Sequence, residues 1–278
     1  MYGTGIVSIL IIVATCIFSY KGFKSQSFFD RYSFEVDRIL IDRDYKRLIT
    51  AGFLHVNLHH LIFNMISLLF FSAILENYLG PLRFAVIYFV SMIGGDLMAL
   101  FIHRHHGDYS GVGASGAISG VIFASIALFP GLQVSAIVLP IHIPGWLFGI
   151  IYVLYSIYGI HSKRDNIGHE AHLGGALFGI LTALVFFPSA IVENLFTIAV
   201  ILIPMAVFTW VIVTKPQFLL VDNYWFKHQY NYTVDDRYNL QKKNTQQEVD
   251  RILDKISKRG LNSLSRKERE VLEEYSRK

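Results

Sequence analysis

Long uncharged runs of apolar residues alternate with polar segments along most of this chain. The uncharged runs cover residues 1–20, 48–75, 109–162, 171–192 and 194–214, and most charged residues lie at 21–47 and 215–278. Because about 20 apolar residues in a helix span the hydrocarbon core of a bilayer, several of these runs are long enough to cross a membrane. The pattern predicts a multi-pass membrane protein.

Turn-forming residues divide these runs into seven predicted membrane helices. We place the helices at residues 3–20, 57–75, 82–103, two positions within 109–162, 169–187 and 191–214. Gly80-Pro81, Phe129-Pro130-Gly131 and Pro188 mark helix ends, and Pro204 is expected to kink the last helix. The predicted fold class is therefore all-α, a polytopic membrane helical bundle.

Residues 215–278 differ sharply from the rest of the chain, because they are rich in Tyr, Asn and charged residues. Thr245 to Glu248 and Ser265 to Glu268 each fit the capping box that begins a helix. We expect a small helical hairpin at residues 245–277 outside the membrane, either as a solvated tail or as a regulatory module. Its mixture of acidic and basic residues favours water or lipid headgroups over nucleic acid, and its partner is unknown.

The overall composition agrees with a membrane protein. Of 278 residues, 53% are hydrophobic and 17% are charged, whereas about a quarter of the residues are charged in a soluble domain. The only cysteine, Cys16, excludes an intramolecular disulfide bond.

Three groups of polar or small residues lie within the predicted membrane helices, where polar side chains are costly and often functional. On the second helix, Asn57, His60, Asn64 and Ser67 recur at spacings of three and four and form one stripe. The other two groups are the Gly-rich segments 111–120 and 168–175. These three groups are the candidate functional residues.

The residue types in these groups suggest nucleophilic catalysis. A serine hydroxyl becomes a nucleophile when a neighbouring base accepts its proton, and histidine is the usual base. Ser115 would lie at a helix N-terminus, and His172 near the start of another helix. Glycines spaced four apart follow both residues: Gly116 and Gly120, and Gly175 and Gly179. This spacing lets membrane helices pack closely, which would bring Ser115 and His172 within hydrogen-bonding distance.

A tetrahedral intermediate at Ser115 would also need hydrogen-bond donors directed at its oxyanion. The backbone N–H of Ser115, the imidazole of His60 and the amide of Asn64 could supply them. Each motif alone is common, but three polar groups on three helices together favour an enzyme.

In combination, these motifs resemble the rhomboid family of intramembrane serine proteases, in its bacterial form. The resemblance covers residues 46–187 and rests on three motifs in order: His60-Leu61-Ile62-Phe63-Asn64, Gly113-Ala114-Ser115-Gly116 and Ala171-His172-Leu173-Gly174-Gly175. It implies a six-helix core, which we place at residues 1–188. The apolar pattern and the composition add a membrane helix at 189–214 and a polar tail at 215–278.

The resemblance also implies a role for each matching residue. Ser115 would be the nucleophile, His172 the general base, and His60 and Asn64 part of the oxyanion hole. Helix-packing or structural roles are implied for Gly113, Gly116, Gly175, Gly179, Arg47 and Glu76. The family uses a Ser–His dyad, so neither Asp165 nor Glu170 needs a catalytic role.

The implied activity is cleavage of peptide bonds in or near the membrane span of single-span membrane proteins. Neither a metal nor an organic cofactor is implied, and the partners would be those substrates and the lipid bilayer, with no nucleic acid. The implied location is a cell membrane, the bacterial inner membrane. Two residues depart from the family pattern: Lys46 replaces a frequent tryptophan, and Ser119 replaces an aromatic residue that often backs the catalytic histidine.

The sequence leaves three alternatives to a rhomboid protease. A metalloprotease needs His-Glu-x-x-His, whereas His169-Glu170-Ala171-His172 spaces its histidines by three. A transporter could use Asp96, Glu76 and the His60–Asn64 stripe as a polar path, although internal repeats, common in transporters, are not seen. The third alternative is an inactive rhomboid-like protein that binds membrane clients.

The orientation of the protein in the membrane is an open question at the level of sequence. The family pattern places the first loop, residues 21–47, away from the cytoplasm. The positive-inside rule predicts the opposite, because this loop holds seven Lys and Arg residues: Lys21, Lys24, Arg31, Arg38, Arg43, Lys46 and Arg47.

Overall fold

A computed structural model of the chain confirms a polytopic helical bundle. It describes residues 5–129, 131–135, 142–162 and 167–214, together with scattered positions between 249 and 275. The chain divides into two compact units between Trp225 and Phe226.

The first unit contains eleven α-helices and four short strands within its described residues. In chain order they are α1 (Ile6–Lys24), α2 (Gln26–Tyr32), β1 (Phe34–Glu35), α3 (Val36–Leu40), α4 (Arg47–Thr50), α5 (Leu58–Leu79), α6 (Pro81–His103), β2 (Ser110–Gly111), α7 (Ser115–Leu128), β3 (Gln133–Ser135), β4 (His142–Pro144), α8 (Gly145–Ser162), α9 (His169–Phe186), α10 (Ala190–Glu193) and α11 (Leu195–Thr214). A single 3₁₀ turn, Ala51–Phe53, follows α4.

Six of these helices are long and apolar enough to cross a membrane: α1, α5, α6, α8, α9 and α11. The remaining apolar helix, α7, has 14 residues. Every residue of α7 from Gly116 to Leu128 is buried, so this helix lies in the centre of the bundle. At 1.5 Å per residue it is about 21 Å long, roughly 9 Å shorter than a hydrocarbon core of about 30 Å.

The predicted helix ends follow the turn-forming residues, with three corrections. Helix α5 continues to Leu79, so Glu76 lies within it rather than after it. The last predicted helix is interrupted at Asn194, between α10 and α11. The side chain of Asn194 donates hydrogen bonds to the carbonyls of Ile126 and Ala127 at the end of α7, which explains the interruption. The four strands, including β3 and β4, which pair antiparallel, were not predicted.

The first loop contains short elements that hold the segment before α7. Strand β1 pairs antiparallel with β2, so that Phe34 lies opposite Gly111. Next to this pair, the backbone N–H groups of Val36 and Asp37 donate to the carbonyls of Tyr109 and Gly107. The first loop therefore fixes the path by which the chain reaches Ser115.

In the second unit, Phe226–Lys278, the structure describes only some residues of the predicted hairpin. The capping box at Ser265 and Glu268 is confirmed, because the Ser265 N–H donates to the Glu268 carboxylate at 2.8 Å and the Glu268 N–H donates to the Ser265 hydroxyl at 3.3 Å. Lys255 also donates to this carboxylate, at 2.8 Å. The first predicted capping box, at residues 245–248, lies outside the described residues.

Candidate active site

Ser115 is the first residue of α7, and the backbone before it makes a turn that requires glycine. Gly113 has φ of 135°, a conformation that other residues rarely adopt. Its N–H donates to the carbonyl of Ala51 at 3.0 Å. A Cβ on Gly113 would lie 2.8 Å from Cε1 of His60 and 3.7 Å from Oγ of Ser115. The imidazole of His60 and the hydroxyl of Ser115 therefore flank the same glycine.

His172 contacts Ser115 directly across two helices. It lies in the first turn of α9, and its Nε2 is 2.7 Å from Oγ of Ser115. This distance is that of a hydrogen bond. An imidazole protonated at Nδ1 would therefore accept the Ser115 proton at Nε2. Both side chains are only partly buried, so the pair is neither fully enclosed nor on the outer surface.

Backbone contact between α7 and α9 sets this distance. A Cβ on Gly175 would overlap the carbonyl oxygen of Gly116, and a Cβ on Gly179 would overlap that of Gly120. The two glycine pairs thus face each other, as the four-residue spacing predicts. No larger side chain fits at Gly175 or Gly179 without separating the helices that carry Ser115 and His172.

The polar stripe on α5 is arranged in two parts. Asn57 caps the helix, because its side chain accepts the N–H of His60 at 2.8 Å. Asn64 is buried, and its amide donates to the carbonyl of His60 at 2.9 Å. An amide nitrogen carries two protons, so this bond leaves Asn64 one further N–H to donate. The Nδ1 atom of His60 is buried without a hydrogen-bond partner among the described residues.

A second histidine, His55, supports this region and was not singled out in the sequence. It is fully buried between the helices, with Nδ1 3.0 Å from the Ser19 hydroxyl and Nε2 3.5 Å from the N–H of Ala114. Its ring makes an edge contact with His60 at 4.8 Å. Burial, and secondarily the neighbouring His60, lower the pKa of His55 to about 3, so His55 is neutral at physiological pH and can accept the Ala114 N–H.

Glu170 lies two residues before His172 but has a different partner. Its carboxylate is 2.9 Å from Nε2 of His103, and both groups are buried. The ring of Tyr109 stacks on His103 at 3.6 Å. Burial, followed by the nearby Glu170, raises the pKa of Tyr109. This cluster ties the end of α6 and the following loop to the start of α9. Asp165 lies outside the described residues.

Arg47 and Glu76 both lie buried in contact with backbone groups. Arg47 donates to the carbonyls of Asp30 and Ser33 in the first loop and pairs with Asp44. Lys46, beside it, is exposed and pairs with the same Asp44 at 3.1 Å.

The Glu76 carboxylate caps the start of α1, since it accepts the N–H of Val7 at 2.8 Å and that of Ser8 at 2.9 Å. It also accepts the Ser8 hydroxyl. Glu76 follows His60 by 16 residues on α5, about 24 Å along the axis. The three groups suggested as a transport path are therefore not together.

Asp96 lies on α6. Within the described part of the chain, His, Cys, Asp and Glu side chains form no group of three or more that could hold a metal ion. The Oδ2 atom of Asp96 is buried without a hydrogen-bond partner among the described residues.

An aromatic residue missed by the sequence analysis lies beside His172. Ser119 occupies the position where the family often has an aromatic ring, and its hydroxyl is 2.7 Å from that of Tyr152 on α8. The ring of Tyr152 lies 6.2 Å from that of His172, at 31°. No motif marks Tyr152, because its place beside the dyad depends on how α8 is rotated against α7.

Comparison with known proteins identifies families that match parts of this chain. The rhomboid domain family matches residues 42–189, and a family of unknown function (DUF6576) matches residues 232–278. Three similar relatives are RHOMBOID-like protein 12, mitochondrial, of Arabidopsis thaliana, with 27% identity over 62% of this chain and 55% of that protein; Rhomboid protein 1, mitochondrial, of Saccharomyces cerevisiae, with 30% identity over 51% and 43%; and Inactive RHOMBOID-like protein 8 of A. thaliana, with 31% identity over 46% and 34%. The chain spans about half the length of the first two relatives.

Proposed function

Because this chain belongs to the rhomboid family, we propose that it is an intramembrane serine endopeptidase that cuts single-span membrane proteins. The observation that carries the proposal is the hydrogen bond of 2.7 Å between Ser115 Oγ and His172 Nε2. It lies at the start of a helix too short to span a bilayer, so the hydroxyl would act below the membrane surface.

In the proposed reaction, His172 accepts the Ser115 proton at Nε2 while Oγ attacks the scissile carbonyl. The resulting oxyanion accepts hydrogen bonds from the Ser115 N–H, His60 and Asn64. His172 then donates its proton to the leaving amine, and the C–N bond breaks. Water attacks the acyl-enzyme with the same groups, which releases the new carboxyl end and restores the Ser115 hydroxyl.

The position of Ser115 at a helix N-terminus supports the oxyanion assignment. The first N–H groups of a helix have no partner within that helix, and the helix dipole favours negative charge there. Asn64 has one N–H beyond its bond to His60, and the imidazole of His60 flanks Gly113 beside Ser115. Together these groups provide the donors that the oxyanion needs in the proposed reaction.

The first experiment is labelling of detergent-solubilised protein with a fluorescent fluorophosphonate, which reacts with activated serines. Wild type should label, and Ser115→Ala and His172→Ala should not, although all three should melt at similar temperatures. Normal proteolysis of a single-span test substrate by folded Ser115→Ala would end the hypothesis.

The second candidate function is that of a client-binding protein without catalytic activity. It is supported by the name of one relative, which is called inactive. It predicts that folded wild type neither labels nor cleaves yet retains single-span proteins in a pull-down. Both observations together would favour it over the protease.

The remaining assignments are also proposals. We divide the chain into a protease core at residues 1–188, an added helix at 189–214 and a tail at 215–278, whose partner is unknown. The protein is a multi-pass membrane protein, and we propose the bacterial inner membrane as its location. Two relatives are named as mitochondrial, so fractionation of the source cells is the deciding measurement.

A further inference from the structure

Tyr152 is a partly buried aromatic residue on α8. This helix carries none of the site residues predicted from the sequence. Its ring lies 6.2 Å from the imidazole of His172, with 31° between the ring planes. Two further aromatic rings pack against Tyr152. The ring centroid of Phe123 on α7 lies 5.3 Å from that of Tyr152, and the centroid of Phe148 on α8 lies 5.8 Å from it. Tyr152 thus limits the space into which the His172 ring can turn.

The hydroxyl of Tyr152 is also part of a directed chain of hydrogen bonds. Ser119 Oγ donates to the carbonyl oxygen of Ser115 at 2.8 Å, and it lies 2.7 Å from the Tyr152 hydroxyl. A serine hydroxyl has one proton, and Ser119 uses it on the Ser115 carbonyl. The Tyr152 hydroxyl must therefore be the donor to Ser119.

These hydrogen bonds connect Tyr152 to Ser115, the residue that carries the candidate nucleophile. Their order is Tyr152 O–H to Ser119 Oγ, then Ser119 O–H to Ser115 C=O. Successive hydrogen bonds of this kind polarise one another in a low-dielectric interior. One side chain from α8 thus lies beside the His172 ring and is linked to the Ser115 carbonyl through Ser119.

We propose that Tyr152, with Ser119, is a positioning residue that holds the His172 imidazole and the Ser115 backbone in register for proton transfer. The inference rests on the proposed protease function and adds to it a residue of a third helix. It assigns Tyr152 no contact with the reacting atoms, so its effect must pass through His172 and Ser115.

The test separates the ring of Tyr152 from its hydroxyl. Tyr152→Phe and Ser119→Ala remove the hydrogen-bond chain but keep the ring, and each should slow fluorophosphonate labelling about 3–10-fold, the equivalent of one neutral hydrogen bond. The double variant should be no slower than either single variant, because both remove the same chain. Tyr152→Leu also removes the ring and should slow labelling about 10²-fold, as expected for a misplaced base.

Tyr158→Leu is the matched control, since it makes the same change at an exposed position on α8; it should label at the wild-type rate. With a protein substrate, Tyr152→Leu should lower kcat and leave KM within about twofold, because a positioning defect acts on the chemical step. Melting temperatures of the two conservative variants, Tyr152→Phe and Ser119→Ala, check that the fold is intact.

Two results would overturn the proposal. If Tyr152→Leu slowed cleavage of a protein substrate but labelled at the wild-type rate, Tyr152 would contact the substrate instead. If the rate losses of Tyr152→Phe and Ser119→Ala multiplied in the double variant, the two residues would not act through the same hydrogen bonds.

A wild type that neither labels nor cleaves would count against the protease itself. In that case the ¹⁵N imidazole resonances of His172, compared between wild type and Tyr152→Leu, still decide the positioning role. An altered Nε2 resonance in the variant would support it, and identical spectra would contradict it.

Discussion

The centre of the bundle and its periphery hold their helices together in different ways. Helix α9 meets both α6 and α7 through backbone atoms, and α7 is buried from its second residue to its last. Helix α11 instead exposes large apolar side chains such as Phe196, Ile203 and Trp210, as expected for a surface that faces lipid. Where α8 meets α11, the contact runs through side chains, with Ile201 against Gly149.

This difference indicates where the geometry of the site is determined. A contact between backbone atoms has no side chain that can adjust, so a small increase in volume must move a whole helix. A contact through the end of a flexible side chain can adjust by rotation. We therefore expect the Ser115–His172 distance to be sensitive to changes in the centre and insensitive to the same changes at the periphery.

The largest effect is expected from one methyl group at Gly175. Gly175→Ala would place a Cβ against the Gly116 carbonyl oxygen, so α7 and α9 must separate and the bond between Ser115 and His172 must lengthen. A displacement of about 1 Å at reacting groups can cost 10²-fold in rate. Labelling with the fluorophosphonate should fall by about that factor, and overpacking should lower stability by about 1–3 kcal/mol.

Gly149→Ala is the matched change at the periphery. Its Cβ would lie 2.6 Å from Cδ1 and 2.9 Å from Cγ1 of Ile201, and the Ile201 side chain can rotate to relieve both contacts. Labelling by Gly149→Ala should stay within about twofold of wild type. Equal losses in the two variants would show that the centre and the periphery constrain the dyad alike.

A smaller but more specific effect is expected at Asn64. Removing one oxyanion donor costs about 10²–10³ in kcat in measured cases, so Asn64→Ala should lower kcat by up to that factor with little change in KM. His60→Ala should behave similarly. Both losses should be smaller if the Ser115 N–H compensates.

The opposite end of α5 provides a control for Asn64→Ala. Asn77 is exposed, and its amide donates to the carbonyl four residues earlier, Ala73, as that of Asn64 donates to His60. Asn77→Ala removes the same kind of intrahelical bond far from Ser115 and should leave kcat unchanged. A comparable loss of kcat in both variants would attribute the effect to α5 stability rather than to an oxyanion.

The difference between centre and periphery also explains what the sequence could predict. Glycines four residues apart and a Ser and His beside them specify that α7 meets α9, so the pairing of Ser115 with His172 follows from local spacing. Likewise, Gly80-Pro81 and Phe129 mark helix ends through local backbone preferences. These features depend on residues close together in the sequence.

Other features depend on the relative rotation of helices, which no local pattern specifies. Tyr152 reaches His172 only because α8 presents this face to α7. The break at Asn194 depends on the carbonyls of Ile126 and Ala127. The pairing of β1 with β2 depends on strands of only two residues each. No local motif marks the distant partner in any of these contacts, so the sequence could not predict them. The glycine spacing, in contrast, marks both helices of the Ser115–His172 contact.

A peripheral effect on stability alone is expected at Glu76. Its carboxylate accepts two N–H groups and a hydroxyl at the start of α1, and hydrogen bonds to charged groups contribute about 1.5–3 kcal/mol each. Glu76→Gln should lower the free energy of unfolding by about 1–3 kcal/mol and leave labelling unchanged, because Ser115 lies near the other end of α5. Glu193→Gln, at an exposed position, is the control and should change neither; lost labelling in a folded Glu76→Gln would show that α1 transmits strain to the dyad.

Over one pH unit, the smallest effect is a pH dependence of stability at His55, where the first loop meets the centre. Its pKa is lowered from 6.5 to about 3 in the folded protein, so between these values the unfolded chain binds a proton that the folded protein does not. The stability due to neutral His55 is complete above pH 6.5 and decreases as the pH falls towards 3, by about 1.4 kcal/mol per pH unit. His55→Gln cannot titrate, so its melting temperature should fall less than that of wild type between pH 6.5 and 5.5. All other groups are common to both proteins and cancel in the difference. Equal changes in melting temperature with pH would show that burial does not lower the pKa of His55.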